Sequence, residues 1–260
     1  MNETLTIVLP ALAAGILVCA THVPLGREVL GRGIIFIDLA VAQIAGLGVI
    51  AANGFQFESH GVAAQVAAFA SALVGGLLLS WTDRRFGKVQ EAIIGVSFVL
   101  AATGGILLLA NDPHGGEELR DLLVGQILFA DVHTLTPAAV LAAVVLASWR
   151  FVMRKLGRAG FYVLFAVSVT ASVQLVGVYL VFASLMVPAL ATRSLIKHAL
   201  AAGYAIGVVG YLVGLLISTF FDLPTGAVIV WTLTAAALAS PPLLGRWRAL
   251  PASEERGTAD

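Results

Sequence analysis

Apolar residues run along this chain in blocks of about twenty, without the narrow stripe or strict alternation that marks an element facing water on one side. The blocks cover residues 5–25, 34–53, 61–81, 91–110, 134–153, 160–176, 179–196, 199–220 and 226–245. Each is close to the length a helix needs to cross a hydrocarbon core of about 30 Å, so the pattern predicts an all-α polytopic membrane bundle of about nine helices. One boundary has almost no polar loop: a turn at Gly177 has to separate two spans between Val176 and Val178. The longest connection, 111–131, opens on the turn residues NDPHGG and continues as ELRDLLVGQILFAD, with Leu119, Leu122, Leu123, Ile127 and Leu128 broadly on one side. It is too short to span and predicts a short helix that lies at the interface or dips into the protein.

Charge gives the blocks a direction. Basic residues fall on alternate connections: Arg27 and Arg32; Arg84, Arg85 and Lys88; Arg150, Arg154, Lys155 and Arg158; Arg193 and Lys197; and Arg246, Arg248 and Arg256. The other connections carry Glu58, His60, Asp112, His114, Glu117, Glu118, Asp121, Asp131, His133 and Asp222, with Arg120 as their only basic residue. The positive-inside rule makes the basic set cytoplasmic, which places the N-terminus outside and the C-terminus inside.

Composition settles the solvent. Hydrophobic residues make up 59% of the chain and charged residues 12%, with a mean hydropathy of +0.97, so the chain is an integral membrane protein with the lipid bilayer as its surroundings. No extramembrane domain fits between the spans: residues 1–250 read as one transmembrane domain and 251–260 as a cytoplasmic tail. Zero net charge predicts no nucleic-acid partner. Cys19, the one cysteine, sits in an apolar run and reads as a small hydrophobe. The opening MNETLTIVLP has no basic region ahead of its apolar stretch and reads as a retained first span rather than a signal peptide. Walker A, HExxH and GxSxG motifs are missing from the sequence, so neither an enzyme nor a cofactor is expected; driven transport would draw on a partner or an ion gradient.

Few residues remain as candidate chemistry. Asp38 stands about four residues into the second span, where a carboxylate near the bilayer centre costs on the order of 2.5 to 3.5 kcal/mol; it reads either as a substrate or ion contact or as a helix-end residue that bonds a neighbouring backbone or snorkels to the interface. Gln43, five residues on and about 140° round the helix, either lines the same crevice or bonds to a neighbouring helix. Glu91 opens the fourth span, where the helix dipole stabilises a carboxylate; contact with a transported ion is the lesser reading. His60, His114 and His133 lie among carboxylates, a ligand mixture suited to divalent transition metals, but without the tight spacing of a fixed site. His22 reads as an interhelical hydrogen-bonding histidine. The run GYAIGVVGYLVG sets Gly203, Gly207, Gly210 and Gly214 at the spacing of a close-packing helix face.

Four blocks carry a family resemblance: PLGREVLGRGIIFIDLAVAQIAGLG (24–48), LLVGQILFADVHTLTP (122–137), VGVYLVFASLMVPALATR (176–193) and FFDLPTGAVIV (220–230). They resemble the integral-membrane permeases of metal-uptake ABC transporters, which import zinc, manganese or iron(II) with an external metal-binding subunit. The resemblance implies an importer half that works by alternating access: a homodimer around a central path, with cytoplasmic ATPase subunits beneath and a periplasmic or lipoprotein metal-binding protein above, in a bacterial cytoplasmic membrane. In that family the second span carries an aspartate and, four residues later, a histidine. Asp38 matches the aspartate, while Ala42 stands at the histidine's place with Gln43 beside it. The family's cytoplasmic coupling segment corresponds to WRFVMRKLGRAG, so Arg154, Lys155 and Arg158 are the candidates for meeting the ATPase, with 82–90 as the other loop available. The shortness of this segment keeps a second reading open, a secondary transporter or channel of similar fold without an ATPase. A third is a structural or regulatory membrane subunit with no transport path.

Overall fold

The computed structural model describes residues 2–54, 61–195 and 197–240. Glu58, His60, Arg246, Arg248, Arg256, the tail 251–260 and the end of the last predicted span lie outside the described residues. Helices form where the apolar blocks lie, and the differences fall at their ends. The ten α-helices among the described residues are α1 (Asn2–Arg32), α2 (Ile37–Gly54), α3 (Val62–Phe86), α4 (Gln90–Leu108), α5 (Gly115–Val124), α6 (Val132–Leu156), α7 (Arg158–Val176), α8 (Val178–Thr192), α9 (Ala199–Phe221) and α10 (Thr225–Leu238). Nine are the predicted spans; α5 is the short helix expected in the 111–131 connection.

Among the described residues, five helical stretches are long and apolar enough to cross a membrane: Thr6–Arg32, Val62–Leu108, Val132–Leu156, Arg158–Val176 and Ala199–Phe221. The second of these is a hairpin, because α3 and α4 flank α2 in opposite directions. Gly48 packs on Ser71 and Ile44 on Gly75 in the α2–α3 pair, whereas Leu47 meets Gly104 and Ile50 meets Gly105 in the α2–α4 pair. Three further apolar helices, α2, α8 and α10, are shorter.

Two predicted loops turn out to be helix. The sequence reads Arg27 and Arg32 as a basic hinge, but α1 continues through Pro24 to Arg32. At 31 residues it is about 46 Å long, so its charged end clears the hydrocarbon without unwinding. Arg32 lies 3.4 Å from Glu28 one turn back, and its guanidinium sits 4.3 Å from the centre of the Phe161 ring. The break comes one residue later, at Gly33, whose φ is +70°. Likewise 149–160 is not a loop: α6 runs to Leu156, α7 starts at Arg158, and Gly157 alone joins them.

Contacts between helix ends sort the connections into the two sides that charge predicts. At one side Arg27 donates to the carbonyl of Thr192, Arg158 pairs with Asp83 at 3.7 Å, and the Phe36 N–H donates to Glu91. At the other Asn53 donates to Glu118, and the carbonyl of Val124 lies against Gly226. There the chain is tightest where it passes itself. Gly125 and Gly177 both have positive φ, +70° and +82°, and a Cβ on either would run into the backbone of the other. Only glycine satisfies both demands. Gly177 is the whole connection between α7 and α8. Of the five apolar residues expected on one side, Ile127 is buried and Leu122, Leu123 and Leu128 pack against the core, whereas Leu119 is half-buried outside it.

The glycine face of α9 serves two partners. Gly203 receives Val23 and Gly207 receives Cys19 of α1, while Gly210 and Gly214 receive Leu233 and Ile229 of α10. Small residues let the backbones approach closely, the dominant mode of packing between helices in lipid.

Candidate functional site

α2 begins at the cytoplasmic side by the charge rule, in a four-residue strap, Gly33–Phe36, that leaves α1. Phe36 ends the strap: its carbonyl accepts from Ala40 N–H, while its own N–H is an orphan of the helix start. A phenylalanine cannot cap. Glu91, in the first turn of α4, accepts that N–H at 3.2 Å. Inside the first turn of α2, Asp38 Oδ1 accepts from Leu39 N–H at 2.8 Å.

Asp38 is therefore a residue of the helix start rather than of the span's middle, and the dipole of α2 favours its charge. It is nonetheless 1% exposed, and no ion pair among the described residues includes it. Oδ1 accepts a backbone N–H, and no side chain among the described residues bonds or pairs with the carboxylate. A buried carboxylate without a counter-charge is electrostatically costly and is a ready acceptor for a cation. Gln43 is 5% exposed on the same helix and makes no side-chain hydrogen bond among the described residues, so bonding to a neighbouring helix is not what holds it. Ala42, at the position of the family's histidine, is buried at 1%.

The remaining candidates separate. Glu91 faces the strap, and its second oxygen is buried without a partner. Arg154 and Lys155 occupy the last turn of α6, and Arg158 opens α7, all three exposed. The longest cytoplasmic-side connection among the described residues is instead 193–198, where Arg193, Lys197 and His198 are exposed. Sequence reasoning passed over it because a short basic run between two apolar blocks looks like every other basic connection. His114 pairs with Glu117 at 3.6 Å in the exposed first turn of α5, and His133 follows Asp131, the N-cap of α6. His22 corrects its reading: Nδ1 lies 2.9 Å from Thr21 Oγ1 and 3.1 Å from the Val18 carbonyl of its own helix, and Nε2 has no partner. No group of three or more His, Cys, Asp or Glu side chains suited to a metal ion occurs among the described residues.

Comparison with known proteins places this arrangement. The family described as the ABC 3 transport family matches residues 4–161 and 157–242. No curated protein matches the chain. Among solved structures, PsaBC from Streptococcus pneumoniae in complex with Fab is similar at 19% identity over 95% of both chains, with a TM-score of 0.70. A structure described as an inward-facing conformation of a metal-chelate type ABC transporter is similar at 18% identity over 93% of this chain and 85% of that one, with a TM-score of 0.57. At such identities the likeness is one of fold.

Proposed function

Since the chain belongs to the ABC 3 transport family, we propose that it is the permease subunit of an ABC importer that carries a divalent transition metal, zinc, manganese or iron(II), inward across the bacterial cytoplasmic membrane. The observation that carries the reading is Asp38, a buried carboxylate in α2 without a protein counter-charge. Two copies enclose the path, an external metal-binding protein delivers the ion over the acidic outer connections, and ATP binding in the cytoplasmic subunits alternates the access. Asp38 contacts the passing ion and Gln43, about one and a half turns further along α2, follows it. Borderline divalent ions take imidazole, carboxylate and amide ligands, and a site poor in protein ligands lets the ion leave as readily as it enters. Glu91 is not one of the path contacts in this reading; its carboxylate is committed to the strap.

The ATPase meets the exposed cytoplasmic face formed by Arg154, Lys155 and Arg158 together with the 193–198 connection. A one-residue joint at Gly157 leaves no room for a coupling helix there, which makes 193–198 the larger handle. The test is metal accumulation in cells. Asp38→Ala is expected to abolish uptake of manganese(II) or zinc(II) with the protein still inserted, and Asp38→Asn to leave a small residue of it. Unchanged uptake in Asp38→Ala removes the path assignment. A purified chain that never retains an ATPase subunit removes the importer reading and leaves a secondary transporter.

A further inference from the structure

The strap Gly33–Phe36 is pinned at both ends. Upstream, Arg32 lies over the Phe161 ring of α7; downstream, Glu91 of α4 takes the Phe36 N–H. The base from which Glu91 reaches is itself locked. Its neighbour Gln90 is 2% exposed and donates to the Leu79 carbonyl of α3 at 2.9 Å and to the Tyr162 hydroxyl of α7 at 3.3 Å. The last turn of α3 and the α3–α4 turn that leads to Gln90 present Arg84, Arg85 and Lys88 to solvent at the cytoplasmic face. Two residues beyond Phe36 stands Asp38. A rigid chain of contacts thus runs from an exposed basic turn to the start of α2.

We propose that Glu91 is a positioning residue: its carboxylate caps α2 from across space, fixes where Asp38 enters the bundle, and transmits displacement of the α3–α4 turn to it. This rests on the reading of Asp38 as the path residue, while the cap itself does not. The alternative role of Glu91, charge at the N-terminus of α4, makes a different demand. A dipole partner needs the negative charge and tolerates a shorter side chain; a cap needs an acceptor oxygen at the right reach and tolerates loss of charge.

Three substitutions separate the two. Glu91→Ala removes both charge and acceptor, Glu91→Asp keeps the charge but withdraws the oxygen by one methylene, and Glu91→Gln keeps an acceptor oxygen without charge. In the full chain assembled with its ATPase, amide hydrogen exchange at Phe36 is expected to quicken about tenfold in Glu91→Ala and Glu91→Asp, and to stay within about threefold of wild type in Glu91→Gln. In liposomes supplied with the external metal-binding protein, uptake of manganese(II), zinc(II) or iron(II), tried singly, falls at least about tenfold in Glu91→Ala while ATP hydrolysis continues, and Glu91→Gln restores most of it. Unchanged exchange at Phe36 in Glu91→Ala, or Glu91→Gln behaving like Glu91→Ala, overturns the proposal. If Glu91→Ala fails to insert, Glu91→Asp carries the same comparison. Wild-type liposomes that, supplied with the external metal-binding protein, move none of the three metals refute the functional reading and leave the exchange result standing on its own.

Discussion

α6 and α7 are neighbours joined by a single glycine, both apolar along their length, and they occupy different surroundings. Val145 is the one buried residue of α6, while α7 buries thirteen, from Gly160 to Val176, including Phe161, Phe165 and Tyr162. α7 is packed on α2, α3 and α6; α6 leans on α7 and α1 with most of its surface free for lipid or a partner. In water such a contrast would be written in hydropathy, because an exposed helix face has to be polar. In lipid it is not, since acyl chains are as apolar as leucine. Nor do small and hydroxyl-bearing residues mark the inner helix, for α6 carries Thr134, Ala138, Ala142 and Ser148 as α7 carries Gly160, Ala166, Ser168 and Thr170; the contrast lies in the neighbours each helix packs on.

The two ends of α7 test this contrast most severely. Gly157 and Gly177 both have positive φ, but a Cβ at Gly157 meets open space and one at Gly177 meets the Gly125 backbone. Gly177→Ala is expected to cost about 4 kcal/mol, strain and overpacking together, and to be seen as loss of folded protein in a detergent melt. Gly157→Ala should cost about 1 to 2 kcal/mol, from strain alone. Equal melts for the two would erase the distinction between the joints.

Next in size, Phe165→Ala should destabilise by about 3 to 5 kcal/mol through the void it leaves, whereas Val144→Ala on the exposed face of α6 should stay within about 0.5 kcal/mol. A large loss at Val144 would show that a partner covers α6 in the assembled protein. Within α7, Ser168 sharpens the point. Its buried hydroxyl has no partner and lines a cavity of about 20 Å³ shared with Thr21, Val145 and Ser172, so Ser168→Ala should shift stability by no more than about 1 kcal/mol.

The smallest effect belongs to the start of α6. Asp131 accepts the Thr134 N–H at 2.8 Å and a bond from its hydroxyl, which hold its carboxyl below the ordinary value of 3.8. A depressed carboxyl stabilises the folded state above its unfolded pKa and loses that contribution as pH falls through the folded value. Protection from hydrogen exchange at 132–135, corrected for the intrinsic rate at each pH, should therefore be level from pH 7 to about 5 and fall below about 4, and Asp131→Asn should abolish the change.

What the sequence made legible follows from the same physics. Nine spans and two sides could be read because hydrocarbon thickness and the asymmetry of Lys and Arg impose patterns that single residues carry. The continuation of α1 to Arg32 and the one-residue joint at Gly157 could not, because charges at a helix end look like charges in a loop: a helix does not stop where the bilayer does. Asp38 stood out as a carboxylate in an apolar run. The bond from the Phe36 N–H to Glu91 did not, being a contact between residues 55 apart whose donor is a backbone N–H that every residue but proline owns.

The crossing of Gly125 and Gly177 has a consequence for how this chain can vary. A side chain at either position collides with main chain at the other, not with another side chain, so no second substitution can make room. Such a pair is closed to compensation: drift that repacks the apolar faces of α6 freely, and those of α7 with a partner change, has no permitted step at either glycine. The outer mouth of the bundle would keep its shape across relatives whose helices share few residues, and an alteration there would require moving a whole segment, by insertion or deletion, rather than exchanging an amino acid.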